Sequence, residues 1–476
     1  SDGSDNASII IDSTGGGGSS TRGAFIALYG NEHANDGIID IQTGNETASQ
    51  INFRTGGGIS RMVIDANSRI SLSNNDSGLY NTIFGKLAGD DLASGGNGNA
   101  FFGENAGHGN TTGDYNVAIG LNAYRFLPAA NNNIAIGVDA MASQDNTANG
   151  LNDVVAIGFE AFKGTGAGTS APVGTVAIGS QALTALTTGT GTTAIGYQSL
   201  TANTIGIFNT AIGYQALKTN VDGSTNTAVG YLALTTFEAD AQDHGENTAV
   251  GSKAGTAVST GTANTLIGKD SGLALTTGDN NTALGTMALS ADTDGTDNVA
   301  IGWKAGRNVH GAQKNIMIGY KAMANIDNNP GDEIANCVAI GYEAFLGSDN
   351  NTTGTTTDAN GTIAIGHSSL KALTSGIGNT AVGYQALKVN VDGDQSTAVG
   401  FEALKAQTGT AGEVANTAVG YQAGLAITTG IQNTALGSGA LKVSDDGSAN
   451  TAIGSFAMGV GNAGSSNTAV GGQCLV

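Results

Sequence analysis

Large and charged side chains are scarce in this 476-residue chain: aromatics make up 5% of it and charged residues 12%. So few large side chains cannot fill a thick globular core, yet at 39% hydrophobic residues the chain is too apolar for disorder. Basic residues are scarcer still, 18 Lys and Arg against 39 Asp and Glu, a formal net charge of −21. That balance argues against nucleic acid and anionic membrane surfaces as partners, since both need basic patches. No apolar run approaches a membrane span.

Catalytic signatures are missing too. There is no nucleophile elbow, no zinc motif and no recurrent carboxylate pair, and the five histidines (His33, His108, His244, His310, His367) are scattered without ligand spacing. The glycine runs at 15–18 and 56–58 are not followed by the Lys-Ser/Thr of a phosphate loop. No enzyme activity, cofactor or metal is expected.

What the chain does have is a repeat, Asn209-Thr210-Ala211-Ile212-Gly213-Tyr214-Gln215-Ala216-Leu217, with variants from residue 81 to the C-terminus. Marked by their glycines, from Gly85 through Gly213 to Gly471, there are 22 copies, and 14 of the 21 intervals are 17 residues. The other seven are longer, never shorter, so the unit tolerates insertion at one point, as a solenoid coil does. A spacing of about 4.8 Å per coil would give a rod on the order of 100 Å. The coils from Gly196 to Gly285 match those from Gly366 to Gly454, which reads as block duplication of a shaft.

Each column of the repeat states a requirement. The residue before the marker glycine is always large and apolar, the one three before it is Thr in 13 copies and Val or Ile in eight, and alanine lies between them in 18 of 22. Alternation predicts a strand with the large residues on a core face and alanine on the other. The position three after the glycine is always small, as at Ala216, Ser199 and Cys474. A second glycine ten after the first, such as Gly189, Gly278, Gly430, Gly223, Gly295, Gly393 or Gly447, suits a turn needing positive φ. One coil is then two short strands and two turns. Pro128, Pro172 and Pro330, and the extra residues of long coils, all fall in the return segment. Sixteen copies begin with Asn, and stacking predicts a ladder of those amides. Cys337 and Cys474 stand seven coils apart, too far to bond.

Residues 1–80 follow a different rule. Runs at 9–12, 25–29, 38–41, 51–53 and 62–65 between glycine-rich turns predict a stack of strands narrower than the later coils. The chain opens at Ser1 without an apolar leader and ends partway through a coil, so it reads as a piece of a longer protein.

The Asn-Thr-Ala-Ile-Gly-Tyr-Gln-Ala-Leu repeats resemble those of bacteriophage tail fibres and are similar to the head repeats of trimeric autotransporter adhesins. Residues Arg61-Met62-Val63-Ile64-Asp65-Ala66-Asn67 resemble a segment found before such repeats in tail fibres. Over residues 50–476 this implies left-handed parallel β-rolls in a homotrimer with an adhesive, receptor-reaching role. The period of 17 departs from the adhesin heads, whose repeat is shorter, and neither a membrane anchor nor a C-terminal chaperone domain is present. A trimer is also expected from the residues, because a stripe of alanines on the outer face is best hidden against copies of itself.

Ten of the 22 residues following the marker glycine are aromatic: Phe159, Tyr197, Tyr214, Tyr231, Trp303, Tyr320, Tyr342, Tyr384, Phe401 and Tyr421. Packing between coils or glycan contact would each account for them, and the tyrosines and Trp303 are the candidate sugar-binding residues. Asp292-Thr293-Asp294-Gly295-Thr296-Asp297 has the oxygen density of a calcium loop but no terminal bidentate Glu, and reads as an Asx-rich turn. The expected molecule is an all-β trimeric virion fibre with a segment at 1–80 and a solenoid shaft at 81–476, contacting a host glycan or protein receptor. A bacterial surface adhesin is the alternative, with a polysaccharide-degrading tailspike or an ice binder further off.

Overall fold

The computed structural model describes residues 79–475 apart from 94, 143–150, 165–171, 240–243, 327–333, 348–358, 410–411, 445 and 461–463, together with six short strands before residue 72. The described residues contain strands and turns and no helix. The chain divides into two compact units, Ser1–Val173 and Gly174–Val476.

Five of the six early strands are those read from the sequence, but they do not stack as narrow coils. Strands β1 (Ile9–Asp12), β2 (Phe25–Leu28) and β3 (Ile39–Gln42) pair antiparallel, as do β4 (Gln50–Arg54), β5 (Ser60–Asp65) and β6 (Ile70–Ser71). The connections at 55–59 and 66–69 are too short for a parallel crossover, so the chain reverses into hairpins.

From Thr82 onward the repeat forms a parallel β-solenoid. Each coil contributes one three-residue strand, five from Thr82–Phe84 to Val155–Ile157 in the first unit and seventeen from Val176–Ile178 to Thr468–Val470 in the second. Successive strands pair in register, for example Thr193, Thr210, Thr227 and Thr248, so equivalent side chains lie directly over one another. The long coils keep this register across their extra length, as at Val338 and Ile363. The inserted residues, with Pro330, lie outside the described residues; Pro128 sits in a return segment, where its carbonyl accepts from Thr111 N and Thr112 N.

The two faces of the strand are the reverse of the expectation. Ala211 is fully buried, whereas Ile212 is 37% exposed and Thr210 half-buried, and this pattern runs through the coils. The roll is so narrow that alanine fits its interior and the branched pair must point out. The stripe of alanines expected to need covering by other copies is therefore already inside, joined by the small column of Ala216, Ser199 and their equivalents.

The second expected strand is also replaced. After the marker glycine the backbone alternates in hand, with positive φ at Gln215 (53°) and Leu217 (50°) and likewise around the coils. Hydrogen bonds still run between coils, Gln215 N donating to Tyr197 O and Leu217 N to Ala233 O. This conformation turns Leu217 inward over the alanine column, where it is fully buried.

Four coils put a larger residue at the alanine position, and each is matched by glycine at the leucine position. Leu266 is faced by Gly255 and Gly272, Met317 by Gly306, and Phe101 by Gly89 and Gly107; a Cβ on any of these glycines would press into that side chain. Ile83 is likewise matched by Gly89. Core volume is conserved from opposite walls.

Glycine itself is required by close approach. Gly213 has φ 139°, and a Cβ there would stand on the carbonyl oxygen of Gly230 in the next coil. The second glycines are not the positive-φ turns expected: Gly189, Gly278 and Gly430 have ordinary φ, and what they lack room for is the next coil's carbonyl. The Asn ladder is present and buried. Asn281 Nδ2 donates to Asn264 Oδ1 at 3.1 Å and to Gly295 O at 2.7 Å, while its own Oδ1 accepts from Asn298 N at 3.1 Å. Cys337 occupies this column as a free, buried thiol, its Sγ 3.2 Å from Ala359 O. Burial pushes that thiol's pKa up to about 11.

Candidate functional site

The column after the marker glycine points outward, because the glycine ends the strand and swings the next side chain off the sheet. All ten aromatic residues read from the sequence are exposed there. In the second unit they form two ladders. Tyr197, Tyr214 and Tyr231 stack at 5.3 and 5.5 Å between ring centroids. Trp303, Tyr320, Tyr342, His367, Tyr384, Phe401 and Tyr421 form a continuous run at 4.8 to 5.3 Å. His367 is thus part of an aromatic column, which counting histidines alone did not reveal; its position after Gly366 was the available signal. Phe159 lies in the first unit.

At this spacing neighbouring rings cover one another's faces, so the interior of a ladder offers edges and hydroxyls. The Tyr384 hydroxyl accepts from Gln385 Nε2 at 3.1 Å. The Glu343 carboxylate beside Tyr342 raises that phenol's pKa, and Glu343 is itself paired to Lys371 at 2.6 Å. At the start of the long ladder Lys304 Nζ lies 4.1 Å from the Trp303 ring centroid, a cation–π contact.

The Asp-rich turn at 292–297 does not converge on a cation. Asp292 is buried and points into the roll, where Oδ1 accepts from Gly295 N at 3.0 Å and Oδ2 has no partner. Asp294 and Asp297 are exposed. Burial raises the Asp292 pKa to about 7, the largest cause, with Asp294 adding to it against the hydrogen bond from Gly295. In four other coils the same column is asparagine, and Asn110, Asn203, Asn220 and Asn390 each donate Nδ2 to the carbonyl of the glycine three residues on.

Folding also unites residues whose sequence spacing suggested no metal site. Asp90, Asp91 and His108 hold their ligand atoms within 4.8 Å of one another, one such group among the described residues. The His108 ring faces Asp90 with Nε2, at 3.7 Å, and Asp91 with Nδ1, at 3.9 Å. The two ring nitrogens are turned to two different carboxylates, whereas metal ligands converge on one point. His33 lies outside the described residues.

The flat side of each coil carries the remaining outward chemistry. Thr193, Thr210, Thr227, Thr248, Thr265 and Thr282 form one unbroken file beside the aliphatic file that includes Ile212 and Leu284. The structure defines the class, a parallel β-solenoid of 17-residue coils. Compared with known proteins, the chain matches no protein-family model, and no curated protein is significantly similar to it.

Proposed function

We propose that the chain is the non-enzymatic shaft of a virion fibre, of the bacteriophage tail-fibre kind, whose outward columns meet a receptor on the host cell surface. The carrying observation is the aliphatic file beside the marker glycines, half-exposed in coil after coil, with Ile212, Leu284, Leu436, Ile453 and Val470 all more than a third open to solvent. A continuous file of this kind favours burial against copies of the same chain. Left-handed rolls in a homotrimer, as the resemblance to tail fibres and adhesin heads implies, would supply that cover. The exposed aromatic columns are then the receptor-facing surface. A bacterial surface adhesin would use the same surfaces.

Sedimentation equilibrium together with retention on bacterial cells tests this reading. A trimer that adheres to cells supports it; a stable monomer with no affinity for any cell surface rejects it.

The outward Thr files favour a second reading. In-register hydroxyls and methyls on a flat sheet, at Thr193 to Thr282 and again at Thr380, Thr397, Thr417, Thr434, Thr451 and Thr468, suit an ordered water surface. Ice-recrystallisation inhibition at micromolar protein would favour this reading over the fibre, and its absence would remove it.

A further inference from the structure

The two aromatic ladders of the second unit are separated by a slot. Tyr231 closes the first ladder and Trp303 opens the second, and between them the same column holds Ser252, Lys269 and Thr286. The intervening strands pair in register, Val229 with Val250, Val250 with Ile267, Ile267 with Leu284 and Leu284 with Ile301. The two rings therefore stand four strand steps apart, roughly 19 Å. Tyr231 stacks on Tyr214 and Trp303 on Tyr320, each on its ladder side, which leaves the slot side of both rings without an aromatic neighbour. These ends differ from the ladder interiors, where neighbouring rings take both faces.

The slot is also basic, in a chain whose net charge is −21. Lys269 stands on its floor with its side chain 67% exposed, and Lys304 Nζ lies 4.1 Å from the Trp303 centroid. Lost hydration, with the charges of Arg307 and Lys321, holds the Lys304 amine below its usual pKa, so several cations are gathered at this end. The acid on the floor is Asp270, 3.4 Å from Lys269 Nζ. The Lys269 side of the pair is open to solvent while Asp270 is half-buried, so the ammonium stays accessible to a multivalent anion.

We propose that this slot binds a carboxylate-bearing polysaccharide, with a sugar face against Tyr231 and carboxylates on Lys269 and on Lys304, whose ammonium rests over the Trp303 ring. Sugar rings present apolar C–H faces to aromatic rings, and uronate units add the negative charge that a neutral glycan lacks. The inference rests on the receptor-binding fibre reading and names the ligand class for it.

The test uses the full chain against immobilised polygalacturonate and alginate and against their carboxyl-reduced forms. Its variants are Trp303→Ser, the pair Lys269→Ser with Lys304→Gln, and Tyr384→Ser inside the long ladder. Serine and glutamine already occur in these columns, at Ser180, Ser252 and Gln215, so each variant is compatible with the fold. Expected are binding to both uronate polymers that weakens with salt and is lost on carboxyl reduction. Trp303→Ser and the lysine pair should each lower affinity at least tenfold, and Tyr384→Ser less than twofold. No binding to either polymer, equal binding to the reduced forms, or an equal loss in Tyr384→Ser would overturn the proposal. Adhesion to bacterial cells without uronate binding would reject the slot ligand and leave the fibre reading standing, whereas a monomer that binds neither would remove both.

Discussion

Asp292 is one carboxyl oxygen away from the turn that four asparagines make. Its Oδ2 takes the place of their amide nitrogen, which donates to the following glycine's carbonyl, and a protonated carboxyl can donate in the same way. Because the folded pKa, about 7, lies above the ordinary 3.8, the native state holds a proton that the unfolded chain releases. Stability from this group is therefore full below about pH 4 and falls as pH rises to about 7, by on the order of 4 kcal/mol. Asp292→Asn should raise the melting temperature at pH 8 and change it little at pH 4. An equal shift at both pH values would contradict this.

Glycine substitutions separate two physical demands at the same scale. Gly213→Ala meets both a φ of 139° and the Gly230 carbonyl, so it should cost on the order of 3 kcal/mol or more. Gly378 has φ 66° with nothing within 4 Å of a Cβ, and Gly378→Asn should cost less than about 1 kcal/mol. Denaturant midpoints of the two variants give the comparison.

At the scale of one coil, stability comes from ladders and from matched volumes. Asn281→Ala strands buried groups on both sides, the Asn298 N–H and the Gly295 carbonyl, and should cost about 2 to 4 kcal/mol by chemical denaturation. Asn281→Thr should cost less, since Thr192 already fills this column, buried. Leu266→Ala should cost about 2 to 5 kcal/mol by opening a void beside Gly255 and Gly272, and Gly272→Leu alone should overpack the same space. Together they should recover most of the loss, a favourable coupling readable in a double-mutant cycle.

This matching explains what could and could not be read from the chain. The period, the marker glycine and the Asn ladder were legible because each depends on one column repeating. The inward face was not, because Ile212 outranks Ala211 in hydrophobicity and only the width of the roll decides between them. Leu217 looked like part of a second strand; its positive φ is invisible in its identity. The joint substitution of Leu266 with Gly255 and Gly272 was the signal that these positions share one interior. His108 with Asp90 and Asp91, from different coils, had no such signal.

At the largest scale, the file of half-exposed aliphatic residues and the two aromatic ladders matter because each residue recurs at the same place in its coil. Extra residues enter only the return segments, so the outward columns survive insertions such as the one between Val338 and Ile363. A solenoid built this way can lengthen by coil duplication and keep its surface chemistry.

Stacking within the second unit is tested most directly by the distance between spin labels at Ser252 and Ser438, in the same outward column ten coils apart. The labels go on a chain with Cys337→Thr and Cys474→Ser, diluted with unlabelled protein. In-register coils predict a narrow distribution near roughly 48 Å. A broad distribution, or one centred far from that value, would contradict the stacked-coil architecture and the continuous outward columns that depend on it.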